Sequence, residues 1–207
     1  MTRDDERRQR ATEEPIVGGL PDAPGILAAI RLTPGLGVHL RGLADELLVS
    51  DFPGATIGRA EREMLATAVS AANDCFFCMD SHAAHAIAVL KRSGAAELAP
   101  VVDGIKEGSF DGLDARVRAL LHIARVVGRD ARALTAADVQ AAREAGASDA
   151  DVQLAVLIAA AFSMYNRMVD GFRARTPASP DAYHDRAAEI AEHGYSQPSP
   201  TPAASGR

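Results

Sequence analysis

Tryptophan is absent, and aromatic residues make up only 4% of this 207-residue chain. Sheet cores lean on aromatic and β-branched side chains, and no alternating polar–apolar stretch longer than a few residues appears. A core of Ala, Leu and Val favours close-packed helices instead. Basic charge is also short, with a formal net charge of −6. That removes the electrostatic reason to bind nucleic acid or an anionic membrane. Long apolar runs are missing too: the longest, residues 154–162, falls far short of the roughly 20 residues a bilayer-crossing helix needs. The N-terminal MTRDDERRQRATEE has no apolar stretch of the kind a secretory signal requires, so a cytoplasmic location is expected.

Cysteine is scarce, and its placement is informative. The chain has only two cysteines, Cys75 and Cys78, in the run Cys75-Phe76-Phe77-Cys78-Met79-Asp80-Ser81-His82, with Glu63 twelve positions before the first. A thiol pair, a carboxylate and an imidazole are the parts needed to make a thiolate, attack an electrophile and resolve the product as a disulfide. On a helix, positions 75, 78 and 82 share one face. Asp74 is the expected N-cap of that helix, which would put both thiols in the positive field of its first turn. Glu63 would return to the site if its own helix packs antiparallel across a short turn at Asn73-Asp74. It could then take a proton from Cys78 directly, or through His82 and a water.

The punctuation is helical almost throughout. Helices are expected from Pro24, over residues 36–49 (with Val38, Leu40, Leu43, Leu47 and Leu48 as the apolar face), 59–73 and through the CxxC to Gly94. Others are expected over 114–127, from Thr135 to Gly146, from Ser148 to 172 and from Ser179 to Gly194. Thr135 with Asp138 and Ser148 with Asp151 have capping-box spacing. The expected architecture is a single all-α domain over residues 15–195, with seven to nine helices and the CxxC at the N-terminal end of a central one. Residues 1–14 and 196–207 are expected as flexible tails.

A thioredoxin-type CxxC follows a strand, whereas the segment before this one is helical. A complete zinc site on Cys75, Cys78, His82 and His85 is disfavoured, because one continuous helix cannot wrap a tetrahedral ion with ligands spread over about 15 Å of rise, which leaves only a partial or intersubunit site open. No resident metal or cofactor is expected. An inert pair of buried thiols is the bland alternative. His85 is expected in a surface or interface role, and His122 as a satisfied or interfacial histidine. Asn166, Arg167 and Asp170 are expected to support packing or an interface, with Arg167 and Asp170 paired along their helix, ahead of the alternative that they line the pocket or orient Glu63.

At Glu63, Cys75, Cys78 and His82 the chain resembles the alkylhydroperoxidase D and carboxymuconolactone decarboxylase superfamily, in its CxxC-containing, peroxidase-related branch. The segments Ala60-Glu61-Arg62-Glu63, Val69-Ser70-Ala71-Ala72-Asn73 and Tyr165-Asn166-Arg167-Met168-Val169-Asp170 are similar as well. The resemblance implies an all-helical fold assembled as a homotrimer or homohexamer. It also implies a peroxidase acting on hydroperoxides, with Cys78 peroxidatic, Cys75 resolving, and Glu63 and His82 as a proton relay. The implied reductant is a thiol partner, a lipoyl protein in one branch. One departure is Phe77, where that branch carries a histidine. It makes the surroundings of Cys78 more apolar, which suits bulky organic hydroperoxides or a different electrophile. The alternative function is a non-peroxidatic thiol–disulfide redox or sensing protein of the same fold.

Overall fold

The computed structural model describes residues 3–196, which form ten α-helices and no strand. The helices are α1 (Arg3–Thr12), α2 (Ile26–Leu32), α3 (Pro34–Leu48), α4 (Arg59–Ala72) and α5 (Phe76–Ser93). They continue with α6 (Ala99–Lys106), α7 (Ala115–Asp130), α8 (Ala136–Glu144), α9 (Asp149–Phe172) and α10 (His184–His193). The all-α architecture is as expected. The count exceeds the expected seven to nine because α1 and α6 are additional. The expected C-terminal tail lies outside the described residues except for Ser196.

Residues 1–14 read as a flexible tail, yet Arg3–Thr12 is helical. The reason lies 73 positions away, where Arg7 donates from Nε to Asp80 Oδ2 at 2.9 Å and from Nη2 to Oδ1 at 3.3 Å. Asp80 is buried, and burial pushes its carboxyl pKa up against the pull of the Arg7 guanidinium. A buried acid needs such a counter-ion, and the charged N-terminal segment supplies it. The Arg7 guanidinium also lies over the Phe76 ring, 5.6 Å from its centroid.

The core is a layer of α4, α5, α7 and α9. Helix α4 is buried at every position from Arg62 to Ala72, so its small side chains let neighbours approach from all sides. Helix α9 is 24 residues long and, by length and composition alone, could cross a membrane. In the fold its apolar side, including Leu154, Ile158 and Phe162, is core. The expected apolar face of α3 is only partly correct. Leu40, Leu47 and Leu48 are buried, but Val38 and Leu43 are exposed.

Antiparallel packing of α4 on α5 positions the site. The connection is tight: Asp74 takes a left-handed conformation (φ 55°), and Cys75 N–H donates to Ser70 O at 3.0 Å. The start of α4 is fixed by a second acid, Asp151. Both expected capping boxes form, and Asp151 belongs to the one that opens α9. Its carboxylate also accepts from Thr56 N at 2.6 Å, Thr56 Oγ1 at 2.9 Å and Ile57 N at 3.0 Å. The chain entering α4 is thereby tied to the N-terminus of α9.

Burial alone would raise the Asp151 pKa, but its backbone and hydroxyl donors outweigh that and hold it at about 2, against an ordinary 3.8. A depressed folded-state pKa stabilises the fold above the unfolded value and is lost as pH falls through the folded one. Asp151→Asn cannot accept all these donors, so it should cost about 1–3 kcal/mol near neutrality. That deficit should shrink between about pH 4 and pH 2, as read by urea unfolding at a series of pH values.

Candidate active site

Helix α5 begins at Phe76, so its N-cap is Cys75 and not the expected Asp74. The left-handed turn at Asp74 takes that residue out of capping geometry. Cys75 therefore sits just before the helix, and Cys78 is its third residue, still in the first turn where N–H groups are free. Both thiols are buried and unbridged. They are in hydrogen-bond contact, which is the first cause of a Cys75 pKa raised well above the usual thiol value; burial and the nearby Asp170 carboxyl add to it.

Asp170 on α9 is in hydrogen-bond contact with the Cys75 thiol, and its own pKa is raised by burial. Arg167, its expected ion-pair partner, donates instead to Ser163 O in its own helix at 2.9 Å. One turn before Asp170, Asn166 accepts from Asn73 Nδ2 at 2.9 Å and donates to Ser70 Oγ at 3.0 Å. Helix α9 thus holds the turn before the CxxC with Asn166 and touches the first cysteine with Asp170.

Glu63 lies on the buried side of α4 with no solvent exposure. Its Oε2 is 2.8 Å from His82 Nδ1 and 3.8 Å from His85 Nδ1. Tyr195 Oη donates to Oε1 at 2.7 Å and reaches Oε2 at 2.9 Å. Burial raises the Glu63 pKa, but the hydrogen bond from His82 and the nearness of the His85 ring overcome it and hold the value at about 2. An ionised carboxylate only accepts, so His82 presents Nδ1–H to it. Tyr195 donates its O–H to Glu63, and at 2.9 Å its oxygen accepts from His85 Nδ1. Burial lowers the His85 pKa and, with the adjacent carboxylate, raises that of Tyr195, so the one stays neutral and the other protonated. The edge of Phe162 packs on the His82 ring with centroids 4.5 Å apart.

Tyr195 reaches the site because the chain after α10 is clamped. Arg59 donates to the carbonyls of Ile190 and Ala191 at the end of α10. Asp45 then accepts from Tyr195 N at 2.6 Å and Ser196 N at 2.8 Å.

Cys78, His82, His85 and Tyr195 border one cavity of about 140 Å³, walled mainly by apolar side chains such as Ile30, Leu40 and Phe162. Phe77 is in the same wall, packed edge-on against Tyr183 with centroids 5.5 Å apart. Gly25, at φ 53°, lies so close to that ring that a Cβ there would meet it at 2.2 Å. Phe76 points elsewhere, into a small cluster with Ala71 and Met79.

Of the four expected residues, Glu63 and His82 are hydrogen-bonded, Cys78 shares the cavity wall with His82, and Cys75 lies against Cys78 outside that wall. His85 is buried and not at the surface. His122 is exposed and pairs with Asp138 at 3.0 Å, linking α7 to α8. Tyr195 was invisible in the sequence, since no spacing relates it to the hairpin. For His85, its position three residues after His82 was the available signal.

Residues 40–93, which include α4 and α5, match the carboxymuconolactone decarboxylase family. No curated protein matches the chain. Two solved structures are similar over most of the length. An uncharacterized peroxidase-related protein from Silicibacter sp. TM1040 is 25% identical with a TM-score of 0.64, over 84% of this chain and 93% of its own. An uncharacterized peroxidase-related protein from Ralstonia eutropha JMP134, described as an alkylhydroperoxidase AhpD core, is 28% identical with a TM-score of 0.64, over 89% and 90%. The family match over α4 and α5, together with the helical fold shared with these peroxidase-related, AhpD-like structures, supports placing the chain with the alkylhydroperoxidase D and carboxymuconolactone decarboxylase superfamily.

Proposed function

We propose that the protein is a thiol-dependent peroxidase acting on organic hydroperoxides. Cys78 is the attacking thiolate, Cys75 the resolving thiol, and Glu63 with His82 the proton relay. The observation that carries this reading is the 2.8 Å bond from buried Glu63 to His82 Nδ1, with His82 and Cys78 on one cavity wall. A histidine held at Nδ1 by a carboxylate offers Nε2 as a base of fixed orientation.

In the first half-reaction the Cys78 proton passes to His82, and the thiolate attacks the terminal hydroperoxide oxygen. The O–O bond breaks, an S–O bond forms, and the departing alkoxide takes the proton back as an alcohol. Cys78 is left as a sulfenic acid. Cys75 then attacks the Cys78 sulfur, an S–S bond forms, and the hydroxyl leaves as water with the Cys75 proton. A dithiol of a partner molecule, for which a lipoyl group is the family precedent, returns two electrons and two protons. The high Cys75 pKa fits a thiol that keeps its proton until the second step. Apolar walls favour an organic hydroperoxide over hydrogen peroxide.

Tyr183 supplies a further group. Its hydroxyl is buried without a hydrogen-bond partner among the described residues, and the residue lines the same cavity. An unmet buried donor costs about 1–3 kcal/mol, and a bound hydroperoxide oxygen would satisfy it. Assembly as a homotrimer or homohexamer is part of the proposal; Leu36, Val38 and Leu43, exposed on α3, support it.

Mass spectrometry of the reduced protein after one equivalent of cumene hydroperoxide tests the thiol cycle. Wild type should lose two hydrogens, Cys75→Ser should gain one oxygen, and Cys78→Ser should do neither. Peroxide consumption that survives in Cys78→Ser would refute it. Tyr183→Phe should raise KM for organic hydroperoxides about three- to tenfold with no loss of stability. An unchanged KM would remove Tyr183 from the mechanism.

A further inference from the structure

The peroxidase reading uses Glu63 and His82 and leaves His85 and Tyr195 without a chemical task, although all four polar atoms converge. We propose that Glu63, His82 and His85, closed by Tyr195, form a binding site for a divalent transition-metal ion of the zinc type. The ligand atoms of the first three residues lie within 4.8 Å of one another, and all three residues are buried. Tyr195 Oη adds a fourth donor, 2.9 Å from Glu63 Oε2, 2.9 Å from His85 Nδ1 and 3.4 Å from His82 Nδ1.

Tetrahedral zinc with bonds near 2.0–2.1 Å puts its ligand atoms about 3.3 Å apart. The 2.8 Å Glu63–His82 and 3.8 Å Glu63–His85 separations bracket that value. Shifts of about half an ångström would open one and close the other. Two histidines three apart on α5, opposite a Glu on an antiparallel helix, turn Nδ1 toward one carboxylate, and facing helices of a bundle supply inward metal ligands in the same general way. The donors come from α4, α5 and the segment after α10, which avoids the difficulty of wrapping one helix around an ion.

Two imidazoles, a carboxylate and a phenol suit zinc, cobalt or iron and do not suit calcium or magnesium, which seek more oxygen ligands. The proton balance is simple. Glu63 is already ionised, each imidazole shifts its proton to Nε2, and Tyr195 loses the proton it now donates to Glu63. Carboxylate and phenolate then neutralise the ion in a buried site. His82, His85 and Tyr195 border the cavity, which gives the ion a way in. The metal site stands on its own geometry. Its consequence for catalysis, withdrawal of Glu63 and His82 from the relay, rests on the peroxidase reading.

The test is a Co²⁺ titration of the Cys75→Ser/Cys78→Ser double variant at neutral pH. The expected result is one Co²⁺ per chain, with visible tetrahedral bands, no thiolate-to-cobalt charge transfer in the near ultraviolet, and release of one proton. Adding His85→Ala should weaken binding by about tenfold or more, and adding Tyr195→Phe should abolish the proton release. The same titration on wild type oxidised with diamide removes the thiolates without substitution and covers misfolding of the double variant. No stoichiometric binding in either form, or a spectrum indifferent to His85→Ala, would overturn the proposal. Cobalt binding and peroxide-driven disulfide formation are separate observables, so failure of either leaves the other standing.

Discussion

The carboxylate of Glu63 sits ionised inside the helical layer with no access to water. Isolated, such a charge would be too costly to bury and would be neutralised by a proton. Here hydrogen bonds from α5 and from the segment after α10 keep it charged. That requirement brings three distant parts of the chain to one point. The α4–α5 hairpin must be antiparallel and tight, His82 must turn inward, and the C-terminal segment must fold back over the cavity. Removing one partner of a buried charge typically costs about 3–5 kcal/mol, so site and fold are held by the same bonds.

The thiols are arranged around that charge unequally. Cys78 opens onto the cavity that also contains His82, whereas Cys75 faces Asp170 on α9. Contact with Cys78, burial and the Asp170 carboxyl together push up the pKa of Cys75. Asn166 fixes the turn just before it. The two cysteines thus differ in surroundings although they share a motif, and the proposed order of attack and resolution follows from that difference.

Local sequence rules carried much of the structure. Helix periodicity, two capping boxes and the small, apolar composition sufficed for the all-α architecture, and the Glu–Cys–Cys–His spacing sufficed to bring Glu63 and His82 together. The misreadings have a common physical origin in long-range contacts. Asp74 looks like an N-cap, but tightness of the hairpin forces it left-handed and passes the role to Cys75. The N-terminal residues look solvated until Asp80 is seen to need Arg7. Arg167 and Asp170 have ion-pair spacing, yet the cysteine takes the carboxyl. Tyr195 lies 132 positions from Glu63 and is delivered by Arg59 and Asp45, a placement that no local pattern encodes.

The most direct measurement is the rate of disulfide formation in Glu63→Gln after a pulse of organic hydroperoxide, with circular dichroism as a check that the variant is folded. Glutamine keeps the shape and can still accept from His82, but it removes the charge that makes the histidine an effective base. The expected result is a rate about a hundredfold or more below wild type, with Cys75 and Cys78 still able to form a disulfide with diamide. A folded Glu63→Gln variant that oxidises at the wild-type rate would contradict the assignment of this carboxylate as the centre of the site.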